Sequence, residues 1–170
     1  VLQAAAKPLA AFESALLDPE QAQHELLMRI IRANADTEFG RQHDFASILN
    51  VGDFRLAVPV RSYAGFENQI ARIAAGENGV LTSSRVIAFE ETGGTASGRK
   101  LIPYTQDGLA AFRAAVLPSL FDLANRRPGI CAGRTYVSIS PVMSQPRATS
   151  SGIPIGLSTD AAYLGETLKD

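Results

Sequence analysis

One ten-residue stretch restricts this chain more than any other. Glu91, Thr92, Gly93, Gly94, Thr95, Ala96, Ser97, Gly98, Arg99 and Lys100 bring together three glycines, three hydroxyls and two cations. An apolar run, Val86-Ile87-Ala88-Phe89, feeds into it, and a second, Leu101-Ile102-Pro103-Tyr104, leaves it. Both runs read as β-strands. The connection is too long for a two-residue hairpin, so a broad glycine loop joins two strands. Glycines let the backbone turn tightly and bring its N–H groups close to a ligand. Successive N–H groups in such a turn make an anion-binding concavity. With hydroxyl donors and two cations added, the chemistry suits a polyphosphate. A glycine-rich hairpin with a solvated basic end has the same composition.

The strand after the loop excludes the two commonest phosphate motifs. Gly93 and Gly98 have the separation of a Walker-type loop, but Arg99 stands at the lysine position and Lys100 comes one residue late. Leu101 stands near where a magnesium-binding hydroxyl is needed, and a Walker loop opens into a helix. The dinucleotide fingerprint fails on glycine spacing and again on the missing helix. What remains is a strand–loop–strand cradle.

The other elements follow from apolar spacing and caps. Leu9, Phe12, Leu16 and Leu17 mark a helix over 4–17, with Pro8 in its first turn. Asp18-Pro19-Glu20-Gln21 starts a second, which runs to about Asn34: Asp caps, Pro takes the first position and Gln21 completes a capping box. Its expected buried stripe is Leu26, Leu27, Ile30 and Ile31. His24 reads as a hydrogen-bonded helix histidine. Residues 36–43 read as a loop, and His43 has no companion ligand at metal-binding spacing, so no metal site is expected. Short helical turns are expected at 44–49 and 51–55, then an extended piece at Val58-Pro59-Val60. Ser62 should cap a helix holding Phe66, Ile70, Ile73 and Ala74. After an Asn78-Gly79 turn, residues 80–82 are a short strand candidate. Beyond the glycine loop, Thr105 caps a long helix to about Asn125, with Leu109, Phe112, Val116, Leu120, Leu123 and Ala124 inward; Pro118 should kink or split it. Tyr136-Val137-Ser138-Ile139-Ser140 alternates like a strand. Residues 144–154 read as loop, and 160–168 as the start of a further helix.

Composition sets outer limits. The chain has 170 residues, 46% of them hydrophobic and 19% charged, enough for one domain with a core. A net charge of −1 supplies no basic excess for nucleic acid or a membrane surface. No apolar run approaches the roughly 20 residues of a membrane span. Cys131 is the one cysteine, which fits a reducing, cytoplasmic setting. The chain lacks an initial Met, and we expect a piece of something longer.

The flanks of the loop narrow its identity. Thr37-Glu38-Phe39-Gly40-Arg41-Gln42-His43, Phe54-Arg55-Leu56-Ala57-Val58-Pro59-Val60-Arg61-Ser62-Tyr63, Ile73-Ala74-Ala75-Gly76-Glu77 and Lys100-Leu101-Ile102-Pro103-Tyr104-Thr105 occur in order around it. The loop resembles the phosphate loop of adenylate-forming enzymes. Loop and flanks together resemble the auxin-responsive promoter protein family, the Gretchen Hagen acyl-acid amido synthetases, from about residue 25 onward and over its N-terminal part only. Gly93 stands where the family often has Ser, and the step from Gly98 to Lys100 is tighter than in plant members.

The resemblance implies an α/β fold: a helical N-terminal half (1–76) packed on a mixed sheet with its loop and long helix (77–170), all part of an incomplete N-terminal domain. It implies a parent ligase that uses ATP and magnesium to adenylate a small carboxylic acid and then joins the acyl group to an amino acid. Thr92, Gly93, Gly94, Thr95, Ala96, Ser97, Gly98, Arg99 and Lys100 would bind the nucleotide phosphates, Lys100 acting in catalysis on the leaving pyrophosphate. Arg113, on the helix that partly lines the family's acyl pocket, would face a substrate carboxylate. Adenine and ribose elements would lie further along, so this chain alone should not catalyse. A thiol acceptor in place of the amine, or a non-catalytic scaffold that keeps the loop shape, are the alternatives. Apolar surface left by truncation would favour self-association.

Overall fold

The structure, a computed structural model, describes residues 2–92, 99–133, 147–157 and 161–164. The expected strand at 136–140 lies outside them. Helix α1 (Leu2–Leu17) packs along the long helix α6 (Gln106–Arg126). Pro8 lies inside α1 instead of opening it. An interior proline loses one backbone hydrogen bond, and here the helix continues through it against α6.

Helix α2 (Pro19–Ala33) begins as its sequence requires: the Asp18 side chain accepts the Gln21 N–H at 3.0 Å. Gln21 does not complete a capping box; its amide donates forward to Glu25 at 2.7 Å. The buried side of α2 is Met28 and Ile31, which pack with Phe45 and Ile48. Leu26 and Ile30, expected in that stripe, are 46% and 50% exposed, because the following turns cover the neighbouring side of the helix.

Residues 36–43 are not a loop. Thr37 caps a short helix α3 (Glu38–Gln42), its hydroxyl accepting the Gly40 N–H at 2.9 Å. Two further first-turn N–H groups, of Glu38 and Phe39, donate to the carbonyls of Gly79 and Val80 at 2.8 and 3.0 Å. A helix start leaves such groups without internal partners, so a distant backbone segment completes α3. Residues 80–82 form no strand, and the Val80 carbonyl serves the helix instead. Gly40 sits where an added Cβ would stand 2.0 Å from the Asn34 carbonyl oxygen, a close approach that only glycine permits.

A single 3-10 turn (Phe45–Ser47) and helix α4 (Val51–Ala57) follow as expected. The helix expected after Ser62 is split into a 3-10 turn (Tyr63–Phe66) and α5 (Glu67–Ala74), and Ser62 makes no side-chain cap bond. His43 is buried between these parts. Its Nδ1 lies 2.7 Å from the Ala57 carbonyl and its Nε2 lies 3.3 Å from the Arg61 guanidinium. A carbonyl only accepts and a guanidinium only donates, so Nδ1 carries the proton.

The sheet has the order β2-β1-β4-β3. Strands β1 (Val86–Glu91) and β2 (Leu101–Thr105) are antiparallel, with Phe89 opposite Pro103 and Glu91 opposite Leu101. Proline cannot donate to a ladder and belongs at an edge, which is where β2 lies. The segment expected as loop forms instead a small hairpin, β3 (Arg147–Ala148) with β4 (Pro154–Ile155). Strand β4 runs parallel to β1 through Phe89 and Ile155, and the Gly156 N–H donates to the Phe89 carbonyl at 2.7 Å. The open edge of β1 offered unpaired backbone groups, and this hairpin took them. A second core surrounds the fully buried Phe89, with Ile70, Ile73, Val80 and Val86.

Thr105 caps α6 through the Gly108 N–H at 3.0 Å. Pro118 does not split the helix; it is buried within it. Leu109 is the buried member of the expected inward face, while Leu123 is 47% exposed. The described part of the last expected helix is α7 (Ala161–Leu164).

Candidate functional site

Strands β1 and β2 deliver the two ends of the glycine loop side by side. The Thr92 N–H donates to the Lys100 carbonyl at 2.9 Å, one step beyond the last strand pair. This bond closes the neck of the loop. Thr92 and Arg99 are exposed, and Lys100 is half-buried. Residues 93–98, expected to supply the phosphate-binding N–H groups and two of the hydroxyls, lie outside the described residues.

Two clamps hold the neck. The first is Tyr63, from the 3-10 turn before α5. Its hydroxyl accepts the Leu101 N–H at 3.0 Å and donates to the Leu101 carbonyl at 3.2 Å. The Lys100 ammonium lies 5.5 Å from the centre of the Tyr63 ring, within cation–π range. Tyr63 thus holds the outer backbone of β2 at the point where the loop rejoins it, and steadies the cation there.

The second clamp is ionic. Glu91, the last residue of β1, is only 14% exposed at its side chain. Arg147 of β3 engages both its carboxylate oxygens, at 2.8 and 3.3 Å, and Arg99 engages one at 3.1 Å. These arginines, Arg147 foremost, hold the Glu91 carboxyl below the usual glutamate range, with partial burial opposing them. Neither Tyr63 nor Arg147 was legible as a site residue. Tyr63 ends one of the segments that flank the loop, but nothing in that segment shows its contact with the neck, and only the strand pairing brings residue 147 beside residue 91.

Arg113 lies elsewhere. Its guanidinium donates to the carbonyls of Tyr163 and Ala162 at 2.9 and 2.8 Å, which fastens α7 onto α6. Tyr163 is buried there, its ring edge-on to Tyr104 and Phe112 and its hydroxyl on the Glu90 carboxylate. Arg72 forms a separate surface network with Glu38 and Glu77, which keeps both carboxyls below their usual range. Among the described residues no group of three His, Cys, Asp or Glu side chains is placed to hold a metal ion, and no helix is long and apolar enough to cross a membrane.

Comparison with known proteins gives these features a context. The model described as "GH3 family N-terminal domain" matches residues 8–170. The indole-3-acetic acid-amido synthetase GH3.5 of Arabidopsis thaliana is 36% identical over 92 residues, which are 53% of this chain and 15% of that protein. A jasmonoyl–L-amino acid synthetase, GH3.3 of Oryza sativa subsp. japonica, is 26% identical over 159 residues, 93% of this chain and 34% of that one. The solved structure of the acyl acid amido synthetase AtGH3.15 in complex with 2,4-DB superposes with a TM-score of 0.76 at 23% identity, over 91% of this chain and 27% of that one. The fold is therefore shared, and the chain spans about a third or less of the length of these relatives.

Proposed function

This chain belongs to the GH3 family, matching its N-terminal domain, and from that premise we propose that it is the phosphate-loop portion of an ATP-dependent acyl-acid amido synthetase. The carrying observation is the closed neck between β1 and β2, which sets two cations, Arg99 and Lys100, at the exit of a glycine-rich loop. In the reaction, a substrate carboxylate oxygen attacks the α-phosphorus of ATP. The bond to the bridging oxygen breaks, and pyrophosphate leaves with the charge. An amino acid amine then attacks the acyl carbon, the adenylate departs as AMP, and the amine loses a proton.

This chain's part lies in the first half. Charge that develops on the phosphate oxygens is stabilised by donors and cations already in place. Lys100, held beside Tyr63, would meet the β- and γ-phosphates, with Arg99 beside it and Thr92 adding a hydroxyl. Backbone N–H groups of Gly93, Gly94, Thr95, Ala96, Ser97 and Gly98 would complete the cradle. The donor set fits polyphosphate rather than a bare metal ion. Its one carboxylate, Glu91, is committed to two arginines. Magnesium would therefore arrive held by the phosphate oxygens and water. Arg113 would act on the acyl side through α7, by holding that helix over Tyr104 and Phe112. A cytoplasmic setting, where ATP and free carboxylic and amino acids meet, suits this chemistry.

The test uses the longer protein that carries this chain. We expect carboxylate-dependent exchange of labelled pyrophosphate into ATP, and Lys100→Ala should lower it about 100-fold or more, in line with loss of one key transition-state contact. Absence of exchange across a broad panel of acids would sink the adenylation reading. Product analysis with amino acids against coenzyme A then identifies the acceptor.

A further inference from the structure

We propose that Glu91 has one permanent cation and one exchangeable cation: Arg147 stays on the carboxylate, and Arg99 leaves it for the phosphate oxygens of the bound ligand. This rests on the reading of the loop as a polyphosphate cradle, and it adds Arg147 as the positioning residue that makes the transfer reversible.

The two arginines differ in every respect that governs exchange. Arg147 presents a fork to both oxygens of Glu91, the stronger and more directional form of the pair. Arg99 makes one longer contact and is 66% exposed, against 42% for Arg147. Their backbones differ too. Arg147 stands opposite Ile155, which pairs with Phe89 two positions before Glu91, so strand pairing fixes its place. Arg99 lies in the connection between the strands, held on its own side by the neck bond of its neighbour Lys100.

The consequence is electrostatic. A partly buried carboxylate that loses its only cation loses its compensation, whereas loss of a well-exposed partner costs little. With Arg147 in place, Arg99 can move to an incoming anion while Glu91 stays compensated. Without it, Arg99 becomes the sole partner of Glu91 and is trapped. The bare charge of Glu91 would also oppose a polyanion at the loop.

The test has two readouts on the 170-residue chain. In thermal unfolding without ligand, Arg147→Ala should lower the midpoint by about 3 °C or more, and Arg99→Ala by less than about 1 °C. In calorimetric titration with inorganic tripolyphosphate, Arg99→Ala and Arg147→Ala should each weaken binding about tenfold. The double variant Glu91→Gln/Arg147→Ala removes the trap, and should bind within about threefold of the unaltered chain. Equal stability losses from the two arginine variants would make Arg99 a fixed structural partner and overturn the inference. So would a double variant as weak as Arg147→Ala alone. No tripolyphosphate binding by the unaltered chain, with the stability order intact, would instead overturn the phosphate reading and leave Arg99 no ligand to move to.

Discussion

The two cores of this molecule are built on different plans. The helical core, around Met28, Ile31, Phe45 and Ile48, comes almost wholly from neighbouring elements, with Phe54 and Val58 closing it. The sheet core, around Phe89, draws on Ile70 and Ile73 before the strands, and on Ile153 and Ile155 well after them. They meet at α3. Phe39 packs against Phe45 of the first core and Phe66 of the second, each with ring centres 5.9 Å apart. The glycine loop hangs from the second core, and every group that steadies its neck belongs to that side. A phosphate loop mounted on two strands needs both strands held by residues remote in sequence, whereas a helical bundle closes on local contacts.

Phe89→Ala removes the fully buried ring at the centre of the sheet core, and should cost about 4 kcal/mol. Chemical denaturation should show this loss, and amides of β1 and β2 should exchange faster than those of α2. Equal loosening in α2 would mean that the cores unfold as one unit. Gly40→Ala attacks the seam instead. Its methyl would meet the backbone at Asn34 and Ala35, so a loss of about 3 kcal/mol is expected, felt by both cores. Tyr63→Phe keeps the ring and deletes two hydrogen bonds to Leu101. It should cost about 1 kcal/mol and selectively raise hydrogen exchange at the loop neck.

The smallest effect is ionic. Because the folded state favours the Glu91 carboxylate, its stabilisation is full above the ordinary glutamate value of about 4.3 and fades as pH falls toward the lowered folded value. Glu91→Gln lacks this term. Its unfolding midpoint should therefore decline less steeply than that of the unaltered chain between about pH 5 and 3. Parallel declines would show that the Glu91 pairs contribute nothing.

The helical core was the more legible of the two. Asp18 was visible as the cap of α2 because a cap acts within one turn, and its partner N–H lies three residues on. Where the reading of that half fails, the cause lies outside the local sequence. The start of α3 reads as loop in sequence because the acceptors that complete it, on Gly79 and Val80, lie some forty positions away. Leu26 and Ile30 looked buried because helical spacing defines a face but not which part of it a neighbour covers.

At the loop, residue type and order alone were enough to place a glycine connection between two strands, to exclude a helix-borne phosphate motif, and to point to the GH3 family. The first two are consequences of chain stiffness and apolar runs, which act over a few residues; the family came from the resemblance of the loop and its ordered flanks. The tertiary structure decided what stands around the neck: Tyr63 on one side, Glu91 and Arg147 on the other, and Arg113 turned to the carbonyls of α7. A hydroxyl or guanidinium finds its partner by distance in space. The pairing of β4 with β1 that sets those distances follows from burying Phe89 on both sides, which no short stretch of sequence encodes.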